Sequence, residues 1–354
     1  MDANDESKAP VAKTGVERFV ARLRANPVVA TLIVVAAIVA GIASFTDSAT
    51  KLLALFAKPS PTAARASLGR MGLPFDADHF VTSAGNGDLT AVKLFATAGM
   101  DLDASAADGS TALASAAFHD RLPVMTFLLD AGAHISADGG ANGSAGGSER
   151  SALYSAVAGG HDDALRLLLA RKPDAATIDA AFIVAVGRRL STPPRNLEAM
   201  HTLAASGADV RRVAPAAFAA VWQNADDEDA AEATRALLEL GVVLADLEGT
   251  GGEARTQTPL MKAAAQGFAT TADVLLEAGA RVDTRYRHPD SDDDGATALM
   301  LAAGSGSTAI VRALLAKGAS ADTRDRRGLR AIDYAKRGSL MNRADVVRVL
   351  AAAK

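Results

Sequence analysis

The chain has no cysteine, a single tryptophan and only 4% aromatic residues. Without thiols it can build no disulfide framework, no thiolate zinc site and no cysteine nucleophile. Neither sign of charge is in excess: 37 Lys and Arg face 41 Asp and Glu, a formal charge of −4. So slight a field argues against a nucleic-acid partner. The histidines His79, His119, His134, His161, His201 and His288 show no metal-ligand spacing. There is no HExxH, no GxGxxG, no P-loop and no nucleophile elbow around any serine. An enzyme needs a constellation that this sequence does not display, so no catalytic residue, cofactor, metal or small-molecule substrate is assigned.

Long uncharged runs are also scarce, and the most apolar of them stands apart. Val28 to Phe45 carries no charged residue and shows no polar face. As a helix its eighteen residues rise about 27 Å, close to a hydrocarbon core of about 30 Å. A retained membrane anchor is the preferred reading. The alternative is a cleaved signal peptide with Gly41-Ile42-Ala43 as a small-residue site, although the run is longer than most signal cores. Arg18, Arg22 and Arg24 crowd its N-terminal side, while Lys51, Lys58 and Arg65 are spread thinly beyond it. The positive-inside rule then leaves the N-terminus cytoplasmic and puts the rest of the chain on the outer, periplasm-like side of a bacterial inner membrane.

Alanine is abundant, and 49% of the residues are hydrophobic. That composition suits stacked short helices better than sheets. The informative pattern is a spacing. A hydroxyl residue lies seventeen positions before a leucine in Thr111/Leu128, Ser151/Leu168, Thr258/Leu275 and Thr297/Leu314. Nine positions after that residue come Gly160, Gly267 and Gly306, and twenty-one after it come Gly132, Gly279 and Gly318. The hydroxyl caps a helix, the first glycine lets the chain reverse, the leucine sits on a buried stripe, and the second glycine ends the second helix.

A period near 33 residues with Thr258-Pro259-Leu260 resembles the ankyrin repeat and its T-P-L-H-x-A signature. Thr111-Ala112-Leu113, Ser151-Ala152-Leu153 and Thr297-Ala298-Leu299 follow the same pattern. None keeps the His, whose positions hold Met261, Ala114, Tyr154 and Met300. In the family that His braces a neighbouring turn, so looser fingers are expected here. His161, which follows Gly160, is structural on the same resemblance.

Read in order, residues 1–26 form a polar, basic lead, 27–46 a transmembrane helix, 47–75 a juxtamembrane helix and linker, and 76–354 the repeats. The linker runs from Pro59 and Pro61 to about Leu73. Eight units are expected. Asp78 stands where the first unit would have Thr, and Asp120 replaces the mid-repeat glycine of the second. The third ends in Lys172-Pro173 in place of Gly-Ala, which requires a different cap. The fourth pairs Ile178–Gly187 with Leu197–Ala205, and the fifth pairs Pro215–Gln223 with Ala230–Leu240. The last, marked by Gly328-Leu329-Arg330-Ala331-Ile332, ends in a helix over Asp345–Ala352.

Insertions at Asp138–Glu149, Asp246–Arg255 and Arg285–Asp293 fall where ankyrin fingers project, the first flexible by its Gly/Ser composition. Asp290-Ser291-Asp292-Asp293-Asp294-Gly295 imitates the opening of a calcium loop, but Leu301 stands where a bidentate Glu is needed. It is read as a finger turn. Trp222, with Phe218 one turn earlier, reads as core by its helical spacing.

The candidate partner-binding residues are Arg285, Tyr286 and Arg287 with Arg324, Arg326 and Arg327, on two neighbouring fingers. The chain is therefore expected to be an all-α, ankyrin-like solenoid preceded by one membrane helix. It meets the lipid bilayer through residues 28–45 and an unidentified protein partner through its repeats. The expected role is a membrane-tethered protein–protein interaction scaffold. The alternative is an inhibitor or protective factor for a periplasmic or secreted enzyme.

Overall fold

The computed structural model describes residues 60–136, 151–187, 195–224, 226–338 and 343–353. The lead, the uncharged run Val28–Phe45, the insertion 138–149 and residues 188–194 of the fourth unit lie outside them. Among the described residues no helix is long and apolar enough to cross a membrane. Contacts divide the chain into two units, Met1–Leu73 with Thr97–Gly99, and Pro74–Ala96 with Met100–Lys354.

The first unit contains α1 (Pro61–Arg70), where a linker is expected. Proline at the first helical position loses no hydrogen bond there, the Ser60 hydroxyl accepts from Ala63 N, and alanines propagate the turn. The prolines thus start a helix instead of marking a linker.

The second unit consists of helix pairs. They are α2 (Ala77–Asn86) with α3 (Leu89–Thr97), α4 (Ala112–Phe118) with α5 (Leu122–Ala131), and α6 (Ala152–Gly159) with α7 (Asp162–Leu169). Next come α8 (Ala175–Gly187) with α9 (Arg195–Ala205), and α10 (Val210–Asn224) with α11 (Asp227–Glu239). A single-turn α12 (Leu244–Leu247) precedes α13 (Pro259–Gln266) with α14 (Ala269–Glu277), α15 (Ala298–Ser305) with α16 (Thr308–Ala316), and α17 (Ala331–Arg337) with α18 (Arg343–Ala352). Among the described residues these are eight helix pairs. First helices pack on first helices from α2 through α10, and again from α13 through α17. Second helices bridge that interruption, α11 packing on α14.

Helices this short are marginal alone and depend on their neighbours. Leu128, Leu168, Leu275 and Leu314 are all fully buried, and each contributes roughly 1.5–3 kcal/mol relative to exposure. In α15 every residue from Ala298 to Ala303 is buried, because both faces are covered by the helices before and after it. Alanine lets those backbones approach.

Local signals land where the spacing puts them, with instructive departures. Thr111, Ser151 and Thr258 cap their helices with side-chain hydrogen bonds. Thr297 stands at its cap position without one. Asp120, in the glycine position, takes the left-handed conformation at φ 57°. Lys172 does the same at φ 54°, its N–H bonded to Leu169 O. The third unit therefore keeps the backbone of a Gly-Ala cap and changes only the residue. In the first unit the cap is Asp76, which accepts from His79 N, and not Asp78. The helix α10 begins five residues before Pro215, because Asp209 accepts from Arg212 N at its start. The last helix begins at Arg343, two residues earlier than expected, and exposes an Arg348–Asp345 pair.

Fingers are braced without the family's His. Asp78 Oδ1 accepts from Ala107 N at 2.7 Å, Asp103 Oδ1 from His134 N at 2.9 Å, and Asp179 Oδ1 from Asp209 N at 2.8 Å. Further on, Glu248 Oε1 accepts from Arg281 N at 2.8 Å and Asp283 Oδ1 from Ser320 N at 3.1 Å. Each carboxylate satisfies an amide of the next finger, and at the part-buried Asp179 and Glu248 bonds an unpaired amide would be costly.

Candidate partner-binding cleft

Where the first-helix row is interrupted, α10 and α13 enclose a cleft of about 1300 Å³. One wall is α10. Phe218 and Trp222, one turn apart, share a face, and their rings lie 6.4 Å apart and nearly parallel. Trp222 also lies 6.3 Å from Phe268, the residue before α14. Phe218 is buried as the helical spacing implies, whereas Trp222 is half-buried and lines the cleft. The core reading therefore holds for one ring of the pair and only partly for the other.

The opposite wall is made by the two insertions at Asp246–Arg255 and Arg285–Asp293. They meet as two short strands, β1 (Glu253–Ala254) and β2 (Arg285–Tyr286), paired in parallel. Arg285 N donates to Gly252 O and Arg287 N to Ala254 O, each at 2.8 Å. This is a departure from the all-α expectation, confined to two residues per strand. Gly249 makes the turn possible. Its φ is 70°, and a Cβ there would fall 2.1 Å from Glu253 O, so no other residue fits.

Glu248 anchors this insertion. It is 2% exposed, and its Oε2 lies 3.3 Å from Arg281 Nε in addition to the Oε1 bond from Arg281 N. Burial pushes its carboxyl above the usual range, against the opposing pull of the Arg281 amide and charge. The pairing of β1 with β2 delivers Tyr286 to the cleft, its ring stacked 5.9 Å from that of His288. Arg287 lines the cleft as well and is tied to Glu253 at 3.1 Å. Two further lining cations, Arg255 and Lys262, have no carboxylate within ion-pair distance among the described residues.

The basic cluster singled out in the sequence is divided by the structure. Tyr286 and Arg287 belong to the cleft. Arg285 reaches Arg324 O at 3.4 Å, Arg324 donates to Gly328 O at 2.8 Å, and Arg326 Nε is 4.0 Å from Asp294. Arg327 is drawn into a packed network. The Asp325 side chain is fully buried and accepts from Arg327 N, Leu329 N and the Tyr334 hydroxyl. Arg327 adds contacts to Asp325, Asp292 and the Tyr334 hydroxyl. Burial raises the Tyr334 hydroxyl well above its ordinary range, and the Tyr334 hydroxyl in turn raises Arg327. These contacts tie the seventh finger to the eighth.

The acidic turn Asp290–Gly295 is used the same way. Asp294 accepts from His288 N through its side chain and from Arg326 N through its carbonyl, while Asp292 meets Arg327. Among the described residues no group of three or more His, Asp or Glu could hold a metal ion. Sequence reasoning missed the cleft itself. The two insertions that build one wall were visible, but nothing local to either shows that they pair.

Comparison with known families matches residues 285–354 to the model for ankyrin repeats in three copies. No curated protein matches. Among solved structures the chain is similar to the human ASB11 ankyrin repeat domain at 18% identity, covering 78% of this chain and 97% of that one, with a TM-score of 0.37. It is also similar to the ankyrin repeat domain of Bcl-3, described as a unique member of the IkappaB family, at 21% identity over 76% and 97%, with a TM-score of 0.39. At these scores the superpositions are loose, and they carry no detail of a site.

Proposed function

We propose that the chain is a protein-binding scaffold held at a membrane, a reading supported by the match of residues 285–354 to ankyrin repeats. Ankyrin repeats generally mediate protein–protein interaction and are typically non-catalytic. The observation that favours binding here is the aromatic cleft between α10 and α13, the one place where the first-helix row is interrupted. Trp and Tyr beside Arg is the composition of interface centres. Tethering rests on the uncharged run Val28–Phe45, which is long enough for one crossing. An anchor would confine the bound partner to the bilayer surface and raise encounter frequency.

Membrane fractionation with alkaline extraction tests the tether. The wild-type chain remains with the membrane, and Val35→Arg with Ile38→Arg releases it, since each central Arg costs roughly 2.5–3.5 kcal/mol on insertion scales. Release of the wild-type chain by alkali would end the anchored reading. A phosphatase fused after Lys354 is active if the repeats face the periplasm. Crosslinking in intact cells tests binding: a specific partner joins the repeats, and its absence would leave the scaffold reading without support.

A further inference from the structure

We propose that the cleft takes an extended peptide segment of a partner protein, with an apolar side chain seated between Trp222 and Tyr286 and acidic side chains meeting Arg255 and Lys262. This deepens the scaffold reading and rests on it. The volume of about 1300 Å³ exceeds the roughly 300–1,000 Å³ of ordinary small-molecule pockets, which suits a stretch of chain. The aromatic rings supply a broad apolar surface whose side chains are already held. Trp222 is braced by Phe218 and Phe268, and Tyr286 by β2 and His288. A ligand therefore meets an ordered surface and pays little to organise it.

Charge selects the flanks. The neighbouring finger arginines Arg281, Arg326, Arg327 and Arg330 already meet carboxylates of this chain. Among the described residues Arg255 and Lys262 meet none, and both line the cleft. The lining carboxylates are Glu253, occupied by Arg287, and Asp246, at the other end of the insertion. An acidic segment thus finds two open cations on the β1–α13 side, and a basic one finds a single open carboxylate.

Trp222 is the only tryptophan in the chain, so its fluorescence reports on the cleft directly. The probe is a blocked heptapeptide with a Phe-Pro-Leu centre and two acidic residues on each side. A second probe replaces all four acids with lysine. Titrated into the full chain in mild detergent, the acidic peptide produces a saturable change in Trp222 emission and the lysine peptide does not. Lys262→Glu and Arg255→Glu each weaken the acidic peptide about tenfold, as loss of a charged contact does. Arg312→Glu, on the exposed side of α16, leaves it unchanged. Native-like hydrogen-exchange protection of α13 in the two cleft variants shows that they remain folded.

No saturable change below ~1 mM, the weak end of specific affinity, overturns the proposal. So does equal binding of the lysine peptide, or indifference to both cleft variants. A cellular partner whose crosslinks map to other repeats would refute this site and leave the scaffold reading standing. Absence of any cellular partner would remove the scaffold reading itself.

Discussion

Replacing Glu248 by alanine should loosen the cleft wall without unfolding the stack. In the native chain the Glu248 carboxylate satisfies the Arg281 amide at 2.8 Å and approaches its guanidinium at 3.3 Å, in a site where its side chain is 3% exposed. Glu248→Ala leaves that amide without a partner, a loss of about 1–3 kcal/mol. Hydrogen exchange of the Arg281 amide should then accelerate roughly 5- to 150-fold. Peptides from α4 to α6 should exchange at the wild-type rate, because repeat arrays couple chiefly to their nearest neighbours. Glu248→Gln retains an acceptor and removes the buried charge, so protection should stay near wild type. The pH dependence has a definite sign. The folded carboxyl is raised above its unfolded value of 4.5, so its contribution is full below that pH and is lost as pH rises through the folded value. Unchanged Arg281 exchange in Glu248→Ala would refute the reasoning. A loss in Glu248→Gln equal to that in Glu248→Ala would show that charge, and not the amide acceptor, holds the insertion.

Lys172→Gly should raise stability by about 0.5–1 kcal/mol, since a non-glycine residue held at φ 54° loses roughly 1–2 kcal/mol that glycine's greater unfolded freedom only partly cancels; denaturant titration reads the shift. Asp227 bonds the amides of Thr270 and Thr271 and the Thr271 hydroxyl, so Asp227→Ala should cost about 1–2 kcal/mol and expose the start of α14 first. Burial works to raise the Asp227 carboxyl, but those hydrogen bonds outweigh it and hold it below its ordinary value of 3.8. Its contribution is therefore present above that pH and is lost as pH falls through the lowered folded value, which acid titration of α14 protection would show. Asp325→Ala strips the partners from two amides and from the Tyr334 hydroxyl, and a loss of about 3 kcal/mol or more confined to the last unit is expected by differential exchange.

Most of the repeat register was legible because its signals are local. A cap such as Thr258, a left-handed residue such as Gly267 and a buried leucine such as Leu275 act within a few residues of their own backbone. Even the exceptions obey this rule: Asp120 and Lys172 take the left-handed backbone their positions demand, whatever their side chains prefer. Helix starts were less legible where a carboxylate competes for the role. Asp76 displaced Asp78 as the first cap, and Asp209 moved α10 upstream of Pro215.

The amino-acid order by itself determined a chain of about 33-residue helix pairs and one uncharged run long enough to span a bilayer. Only the tertiary structure decided which side chains meet. Glu248 finds Arg281, Asp227 finds Thr271 and Trp222 faces the cleft across separations that no local pattern encodes. The pairing of β1 with β2 has the same origin. Stacking neighbouring units places distant residues at the same height, and the long insertion between α11 and α13 opens the row enough to leave a cleft. The basic residues show the difference most directly: in sequence they form one cluster, and in space only Arg287 of that cluster's arginines lines the cleft, while Arg285, Arg326 and Arg327 bridge neighbouring fingers and Arg324 closes its own.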